Sequence, residues 1–583
     1  MYRLRLQALQ KALEDAHLDA YFMNTSDPHL SEYVPEHYKT IRYFTGFTGS
    51  LASLFVDREK AYLFVDGRYH TQADNEVLAN GVEVIKLGTS GAKDPLPFAL
   101  NKYHKIGLDG KRAAISLVNS FIDGGIEVKD IDLYSAITTD IAPLNNSLIR
   151  DLDPVYCGKT RKEKINDLLY CLNGKTHILS NLESIAYLLN FRGSDISYTP
   201  VFLAYMAIHQ GDVYLFCDVD RFDPSQLDAL YADGVIIRPY ASFYEFLKTI
   251  ASSLIIIDEN KLNYAAYACL KGRSNRFVNT MSPIEEMRAI KNPVEQENCR
   301  LAHIYDGVAM VRFLKWLKES DKEQLNEYDV LLKLNEFRLS YKAFDLSFTP
   351  IIGYNSNAAM MHYSPTAEKN TPLHNEGILL IDSGGQYLEG TTDITRTVAL
   401  GPVADIVKKH FTLVLKSMFN LSEVHFLYGM SGSQLDVLAR KDIWELGINY
   451  RCGTGHGVGQ VLAVHESIPN VRFTHATNKT EEYVIREGNL FSDEPGIYLE
   501  GQYGLRCENM VLAKKAELNE YGQFMCLETV TMCPFDLDLI AKEYLDNKTV
   551  AALNAYHQTV YEKLAPYLNK EEQAFLKLQT RSI

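Results

Sequence analysis

A run of apolar residues that ends in a carboxylate constrains the fold of this chain more than any other feature of its sequence. Residues 377–385 read Gly-Ile-Leu-Leu-Ile-Asp-Ser-Gly-Gly, which predicts a buried strand with Asp382 at its end and a glycine turn after it. Asp393 follows eleven residues later, in a threonine-rich stretch whose β-branched residues predict a strand returning beside the first. Two facing carboxylates are tolerated only if one is protonated or if cations lie between them.

A single histidine among four glycines is the second informative feature. Residues 453–459 read Gly-Thr-Gly-His-Gly-Val-Gly. No Lys-Ser/Thr pair follows, as a P-loop requires, and the third glycine lies one position too far for a dinucleotide-binding motif. Small residues instead allow backbone and substrate to approach His456, an arrangement that suits a coordinating imidazole. A loop histidine taken alone is more often structural.

Two glutamates complete a set of candidate ligands. Glu494 lies in a Glu-Pro-Gly turn and Glu508 follows Arg506 closely, so a turn and an ion pair explain each of them individually. With the aspartates and the histidine, however, they form an oxygen-rich, nitrogen-containing set. Such a set suits two divalent ions such as Mn²⁺, Co²⁺ or Zn²⁺, and it contains no thiolate that would favour a structural zinc site.

The length of 583 residues predicts about three domains. An aromatic run, a glycine turn and a β-rich strand followed by Asp occur twice, in residues 41–66 and 189–218, which predicts two related α/β domains at about 1–152 and 153–284. Asn292-Pro293-Val294-Glu295 has the form of a capping box and predicts a helix whose apolar residues over 301–317 form a core stripe. The catalytic domain is expected at 285–583, with a C-terminal extension from about 526.

Composition excludes several classes of function. The 59 basic and 74 acidic side chains give a net charge of −15, which opposes binding to nucleic acid. The N-terminal residues have leucines at helical spacing rather than the apolar core of a signal peptide, and no apolar stretch approaches a membrane span, so we expect a cytoplasmic protein. Nine cysteines without C-x-x-C spacing are expected to be reduced thiols.

In their order and flanking residues, the five candidate ligands resemble the pita-bread metallopeptidases, which include methionine aminopeptidase, proline dipeptidase and aminopeptidase P. The resemblance is greatest to the long, three-domain cytosolic Xaa-Pro aminopeptidases and covers essentially the whole chain. It rests further on Asp66-Gly67-Arg68-Tyr69, on residues 190–195, on Glu528-Thr529-Val530-Thr531 and on residues 553–557. It implies two N-terminal α/β domains of the creatinase type, a pita-bread domain and a helical C-terminal extension.

The resemblance also implies a role for each site residue. Asp382 would bind one metal ion, His456 and Glu494 the other, and Asp393 and Glu508 would bridge the two. Glu494 would accept a proton, while His465 and His362 would line the cleft, His465 stabilising the tetrahedral intermediate and His362 contacting substrate. Arg506 resembles a substrate-binding arginine of the cleft, although its function could be limited to orienting Glu508.

The family resemblance further implies Mn²⁺ as the metal, short peptides with proline at the second position as substrates, and a homodimer. One departure concerns Cys452, where many relatives carry a histidine; a thiol is a weaker hydrogen-bond donor, so substrate binding or the pH profile is expected to differ while activity remains. Two alternative functions stay open: a proline dipeptidase with the same metal site, and a non-catalytic peptide-binding module. Proline specificity follows from the resemblance alone.

Overall fold

The computed structural model describes residues 1–473 and 482–583, and these form two compact units. The first unit comprises Met1–Asp151 and Lys159–Ile284, and the second comprises Leu152–Gly158 and Glu285–Ile583. Within the described residues, no helix combines the length and the apolar character of a membrane span. All nine cysteines are free thiols.

Two six-stranded sheets with the same strand order build the first unit. Its strands are β1 (Ala20–Asn24), β2 (Ser53–Asp57), β3 (Ala61–Val65), β4 (Val82–Lys86), β5 (Lys105–Leu108), β6 (Glu127–Asp130), β7 (Arg150–Asp151), β8 (Thr176–Leu179), β9 (Phe191–Arg192), β10 (Tyr205–His209), β11 (Asp212–Phe216), β12 (Val235–Arg238), β13 (Leu254–Ile257) and β14 (Arg276–Asn279). Helices flank them: α1 (Tyr2–Asp15), α2 (Thr40–Thr45), α3 (His70–Val77), α4 (Pro95–Leu100), α5 (Ile115–Asp123), α6 (Pro154–Cys157), which belongs to the second unit, α7 (Arg161–Leu172), α8 (Leu182–Leu189), α9 (Pro224–Ala232), α10 (Phe243–Leu247) and α11 (Tyr264–Leu270).

The order of the first sheet is β4-β3-β2-β1-β5-β6 and that of the second is β12-β11-β10-β8-β13-β14. The strand that comes first in the chain, β1 in one sheet and β8 in the other, pairs antiparallel with one neighbour and parallel with the other in both sheets. The strands β3 and β11, whose sequences resemble each other, occupy the same place in their sheets. The shared topology confirms the prediction of two related α/β domains.

The second unit combines long helices with antiparallel strand pairs. Its helices are α12 (Pro283–Ala289), which begins in the first unit, α13 (Pro293–Glu319), α14 (Glu327–Leu339), α15 (Asp405–Ser422), α16 (Gly432–Trp444), α17 (Asn547–Leu564) and α18 (Lys570–Gln579). Its strands are β15 (Asp345–Leu346), β16 (Ile351–Tyr354), β17 (Ile378–Ser383), β18 (Gly385–Tyr387), β19 (Gly390–Thr391), β20 (Ile394–Ala399), β21 (Phe426–Leu427), β22 (Gly455–Gly457), β23 (Glu466–Val471), β24 (Leu490–Asp493), β25 (Gly496–Leu499), β26 (Tyr503–Arg506), β27 (Asn509–Asn519) and β28 (Gly522–Thr529). They form the sheets β16-β17-β20, β15-β18-β19, β25-β26 and β21-β28-β27-β24-β22-β23.

Helix α13 begins with the predicted capping box. The Asn292 side chain accepts hydrogen bonds from the backbone N–H groups of Val294 and Glu295, and the Glu295 carboxylate accepts one from the Asn292 N–H. This arrangement satisfies N–H groups that the first helical turn leaves without partners. Along the helix, the apolar stripe packs into the core of the unit, with four of its members fully buried: Val308, Val311, Leu314 and Leu317.

Strand β17 carries Asp382 near its end, and β20 returns antiparallel beside it, as the sequence predicts. Asp382 lies opposite Thr395, and Asp393 precedes β20 on the same chain, two residues before Thr395. Because side chains alternate between the two faces of a strand, Asp393 and Thr395, two residues apart, lie on the same face. The carboxylates of Asp382 and Asp393 therefore lie diagonally across from each other on that face. The hairpin β18–β19 fills the connection between them.

A backbone contact at Gly504 fixes strand β26 against the short helical turn Asn355–Ala359. A Cβ atom at this position would lie 1.8 Å from the carbonyl oxygen of Ala358, so we expect Gly504→Ala to lower the free energy of unfolding by about 1–3 kcal/mol. A denaturant midpoint measured by circular dichroism checks this. Gly390→Ala is the control, since the nearest atom to its Cβ would be Ala302 Cβ at 3.4 Å. Equal shifts for the two variants would contradict the packing argument.

Candidate metal centre

Four of the five candidate ligands lie together in the second unit. Asp393, His456 and Glu508 each offer one ligand atom, and these atoms all lie within 4.8 Å of one another. The Nε2 atom of His456 is 3.5 Å from Asp393 Oδ2 and 3.4 Å from Glu494 Oε1. Residues far apart in the chain therefore converge on one small volume, which is the arrangement that the ligand pattern predicts.

The orientation of His456 is set by its own strand and by β24. Its Nδ1 lies 2.9 Å from the carbonyl oxygen of Gly457, so a proton on Nδ1 leaves the Nε2 lone pair directed at the carboxylates. The backbone N–H of His456 donates to Ser492 Oγ at 3.0 Å. Gly455 permits this approach, because a Cβ there would lie 1.8 Å from the Ser492 carbonyl oxygen.

Arg506 links the fifth candidate ligand to the cluster. Its guanidinium contacts the carboxylate of Asp382 and donates to the Tyr498 hydroxyl at 2.6 Å and to Thr395 Oγ1 at 3.1 Å. The Thr395 hydroxyl in turn donates to Glu508 Oε2 at 2.8 Å. Arg506 thus reaches Glu508 through Thr395, while its direct ionic partners are Asp382 and, at 3.9 Å, Glu494.

The carboxylates have strongly shifted protonation equilibria. Burial, more than any other cause, raises the pKa of Asp382 to about 7, with Asp393 and Glu494 adding to it and Arg506 opposing it. Burial and the neighbouring carboxylates also raise the pKa values of Glu494 and Glu508. Burial alone would lower the pKa of His456, but Asp393 and Glu494 raise it to about 9. In the metal-free protein, bound protons therefore offset the negative charge of the clustered carboxylates.

Divalent cations would supply the same compensation, and the residues present fit them. The buried atoms Asp382 Oδ1 and Asp393 Oδ1 have no hydrogen-bond partner within the described part of the chain. Buried carboxylate oxygens rarely lack partners unless they bind an ion or water. The donor set of oxygens with one imidazole nitrogen is the set that Mn²⁺, Zn²⁺ or Co²⁺ binds.

Metal binding is expected to release protons. At pH 6, Asp382 and His456 are largely protonated in the metal-free protein, and both must lose the proton to act as ligands, so we expect them to release about two protons per chain. Glu508, whose pKa is also raised by burial, adds to this number. Isothermal titration calorimetry with Mn²⁺ in buffers of different ionisation enthalpy measures this number. A binding enthalpy that does not change between buffers would contradict the assignment.

The same shifts predict how stability depends on pH. A group whose pKa is raised on folding contributes stability below its unfolded pKa, and this contribution disappears as the pH rises through the folded pKa. For Asp382 the window runs from 3.8 to about 7, and for His456 from 6.5 to about 9. The melting temperature of the metal-free protein should therefore fall across this range relative to that of the metal-loaded protein. If the difference in melting temperature between the metal-loaded and the metal-free protein stayed constant from pH 5.5 to 8.5, the predicted pH dependence would be wrong.

The remaining predicted site residues occupy different positions. The His465 ring centroid is 4.3 Å from that of His456, with the two planes at 87°. His362 is exposed and lies in the turn after Asn355–Ala359. Cys452 is partly buried, and burial together with Glu494 raises the pKa of its thiol to about 11, so it is a neutral thiol at physiological pH.

Several polar residues in this site were not identified from the sequence. Thr395 connects Arg506 to Glu508, Tyr498 holds the Arg506 guanidinium, and Ser492 donates to Glu494 Oε1 at 3.3 Å. Thr395 and Ser492 each lie two residues from a candidate ligand and therefore share its strand face. A search for polar residues two positions from Asp393 and Glu494 would therefore have identified Thr395 and Ser492 from the sequence.

A buried arginine ties the strand of Asp393 to that of Glu508. The Arg396 guanidinium donates to the Glu508 carbonyl oxygen at 2.5 Å and stacks 3.9 Å above the centre of the Phe535 ring. It also donates to the Thr395 carbonyl oxygen at 2.9 Å in its own strand. Further partners lie in β27 and in the C-terminal segment: Asn509 Oδ1 and the Tyr556 hydroxyl at 2.9 Å each, the Cys533 carbonyl oxygen at 2.8 Å and the Pro534 carbonyl oxygen at 3.2 Å. The C-terminal segment therefore supports the strand that follows Glu508.

Comparisons with known proteins agree with this site. Residues 297–515 match the model of metallopeptidase family M24, residues 5–136 and 141–295 each match a creatinase/prolidase N-terminal domain, and residues 523–583 match the C-terminal region of peptidase M24. The probable Xaa-Pro aminopeptidase P of Pyrenophora teres f. teres is 34% identical over 97% of this chain and 90% of its own length. The chain belongs to metallopeptidase family M24. Its relative in Coprinopsis cinerea, with the same description, is 33% identical over 99% of this chain and 98% of that protein.

A solved structure extends the similarity of this M24 protein to the whole fold. The crystal structure of X-prolyl aminopeptidase from Caenorhabditis elegans, described as a cytosolic enzyme with a di-nuclear active site, matches with a TM-score of 0.93 and 26% identity. The match covers 100% of this chain and 99% of that one. Two creatinase-type α/β domains and a pita-bread catalytic domain are therefore confirmed as the architecture.

Proposed function

We propose that this protein is a metal-dependent aminopeptidase that hydrolyses the bond between an N-terminal residue and a following proline. The observation that carries the proposal is the convergence of Asp393, His456 and Glu508 within 4.8 Å, in a chain that matches Xaa-Pro aminopeptidases along nearly all of its length. The M24 family relationship makes it a hydrolase, and the buried carboxylate and imidazole donors suit two divalent ions.

We assign the ligands as the sequence predicts. Asp382 would hold one ion, His456 and Glu494 would hold the other, and Asp393 and Glu508 would contribute to both. In the metal-free protein Asp382 is engaged by Arg506, so that arginine would keep the carboxylate oriented when ions bind. Bound ions supply Lewis acidity that polarises a carbonyl group and lowers the pKa of water.

Side chains of the protein perform the proton transfers and the substrate contacts of the hydrolysis. Glu494, whose pKa is raised above that of an ordinary glutamate, is the proton acceptor, because a base with a pKa nearer to the working pH is more effective. His465, packed beside His456, donates a hydrogen bond to the oxygen on which negative charge develops. His362 contacts the substrate and protonates the leaving proline nitrogen. Arg506 contributes to the substrate-binding surface.

Three further assignments belong to this proposal. Mn²⁺ is the metal that we propose, with Zn²⁺ and Co²⁺ as ions that the donor set also accepts. A cytoplasmic location is supported by the description of the similar nematode enzyme as cytosolic and by nine free thiols. A homodimer is the proposed assembly, and sedimentation velocity of the metal-loaded protein tests it.

Hydrolysis of three peptides tests the function. Metal-stripped protein resupplied with Mn²⁺ is assayed with Arg-Pro-Pro, Gly-Pro and Met-Ala-Ser, and Asp393→Ala serves as the metal-site control. Release of free Arg from Arg-Pro-Pro, lost in the control, is the expected result. Cleavage of Gly-Pro alone would reassign the protein as a proline dipeptidase, and no cleavage of any peptide by protein that retains its ions would favour a binding role.

A further inference from the structure

A fully buried carboxylate outside the metal cluster gathers an unusual number of donors. Glu327, the first residue of α14, has an exposed fraction of 0%. Its Oε1 accepts from the Tyr354 backbone N–H at 2.7 Å and from Asn357 Nδ2 at 3.0 Å. Its Oε2 accepts from the Tyr363 hydroxyl at 2.7 Å, from the Thr371 backbone N–H at 2.8 Å and from Asn357 Nδ2 at 3.2 Å. These bonds offset the cost of burying the charge.

All four donor residues belong to one segment, residues 354–371, and they flank His362 on both sides. Tyr363 is its immediate neighbour in the chain, and Asn357 lies five residues before it. The segment is fastened at a second point, since the Ala358 carbonyl oxygen packs against Gly504 of β26, the strand that ends in Arg506. A loop held at these points has little freedom to move His362 relative to the cleft.

A charged carboxylate at position 327 can hold the segment 354–371 better than an amide group would. A carboxylate offers two acceptor oxygens with about four lone-pair positions, whereas glutamine offers one acceptor oxygen and turns an NH₂ group towards donors. The N-terminal end of α14 also favours a negative charge, because its unpaired N–H groups carry partial positive charge. Glutamine has nearly the same volume, so Glu327→Gln changes the hydrogen bonding with little change in packing.

We propose that Glu327 is a positioning residue, which holds the segment 354–371 so that His362 faces the substrate. This inference rests on the proposed function, because it acts through the role of His362 in hydrolysis. Glu327 touches neither the metal ligands nor the substrate, and its effect on the rate is transmitted by the segment. Small displacements of a positioned group can change a rate by about 100-fold.

A double-mutant cycle separates positioning from a general loss of stability. We measure kcat and KM for Arg-Pro-Pro with Glu327→Gln, His362→Ala and the double variant, each loaded with two ions per chain. Glu327→Gln is expected to lower kcat/KM by about 10- to 100-fold, while the double variant matches His362→Ala within about twofold. Losses that multiply would overturn the proposal, as would full activity of His362→Ala. The control is Glu323→Gln, because the Glu323 carboxylate likewise pairs with a side chain, His374, and accepts a backbone N–H, that of Asn375, but at an exposed position.

Hydrogen exchange of the wild-type and variant proteins gives a readout that does not depend on activity. Residues 355–371 should exchange faster in Glu327→Gln, with the rest of the second unit unchanged. If the wild-type protein cleaves no Xaa-Pro peptide, the proposed function fails, and hydrogen exchange alone decides whether Glu327 holds the segment. Unchanged exchange in Glu327→Gln would overturn the claim that Glu327 holds the segment. If Glu327→Gln does not fold, Tyr363→Phe replaces it in the cycle, since it removes one of the five hydrogen bonds.

Discussion

Glu508→Gln is expected to lower kcat/KM for Arg-Pro-Pro by at least about 1,000-fold, which corresponds to about 4 kcal/mol in the activation free energy. Glu508 is the proposed bridge between the two ions, and glutamine offers no negative charge and only one ligand oxygen. Kinetic assays combined with the metal content from mass spectrometry check the result. The metal content should fall below two ions per chain.

This substitution separates catalysis from folding. Burial and the neighbouring carboxylates raise the pKa of Glu508 well above its usual range, which favours the neutral acid, and glutamine resembles that neutral form. The metal-free variant should therefore melt at or above the temperature of the metal-free wild type. Glu517→Gln, at an exposed position on β27, is the matched control and should leave the kinetics within about twofold. Activity near the wild-type level with two bound ions would remove Glu508 from the ligand set.

Arg396→Met is expected to destabilise the second unit by about 3–5 kcal/mol. The substitution leaves four backbone carbonyl oxygens, Asn509 Oδ1 and the Tyr556 hydroxyl without their buried cationic partner. For a unit of this size, the loss corresponds to a decrease of roughly 5–10 °C in melting temperature, measured by calorimetry on metal-free protein. Metal affinity should fall as well, since Arg396 supports the strand that follows Glu508.

The matched control is Arg312→Met, at a second arginine that contacts the C-terminal segment. Arg312 donates to Glu572 at 3.1 Å, but 27% of its side chain is exposed, so the ion pair is largely screened by water. We expect a change below about 1 kcal/mol and an unaltered metal content. Similar melting temperatures for the two variants would show that burial of the Arg396 network contributes little.

The local features of the second unit could be predicted because each depends on a short stretch of sequence. The capping box at Asn292 specifies the start of α13 through contacts within four residues. The apolar run before Asp382 and the threonines after Asp393 predict two strands, and the short connection favours an antiparallel pair. The five candidate ligands could likewise be collected from the sequence, but the role of each was implied by family resemblance and remains a prediction.

Other contacts depend on registers that no short stretch specifies. Arg506 meets Asp382 because β26 lies beside β17 and β20, and the two residues are 124 positions apart. The network of Arg396 joins residues separated by 112 to 160 positions. Likewise, Glu327 has the appearance of an ordinary first-turn glutamate until the fold shows where residues 354–371 return. The limits of the domains also stay a prediction.

The attachment of Arg396 to residues 533–556 has a consequence for synthesis of the protein. All five candidate ligands have been translated at residue 508, yet several groups that contact Arg396 lie further along the chain, between residues 533 and 556. Because proteins are made from the N-terminus at about 5–20 residues per second, the ribosome must reach residue 556 before all of these contacts can form. A chain shortened to residue 532 would therefore carry every candidate ligand but would lack these supports of Arg396.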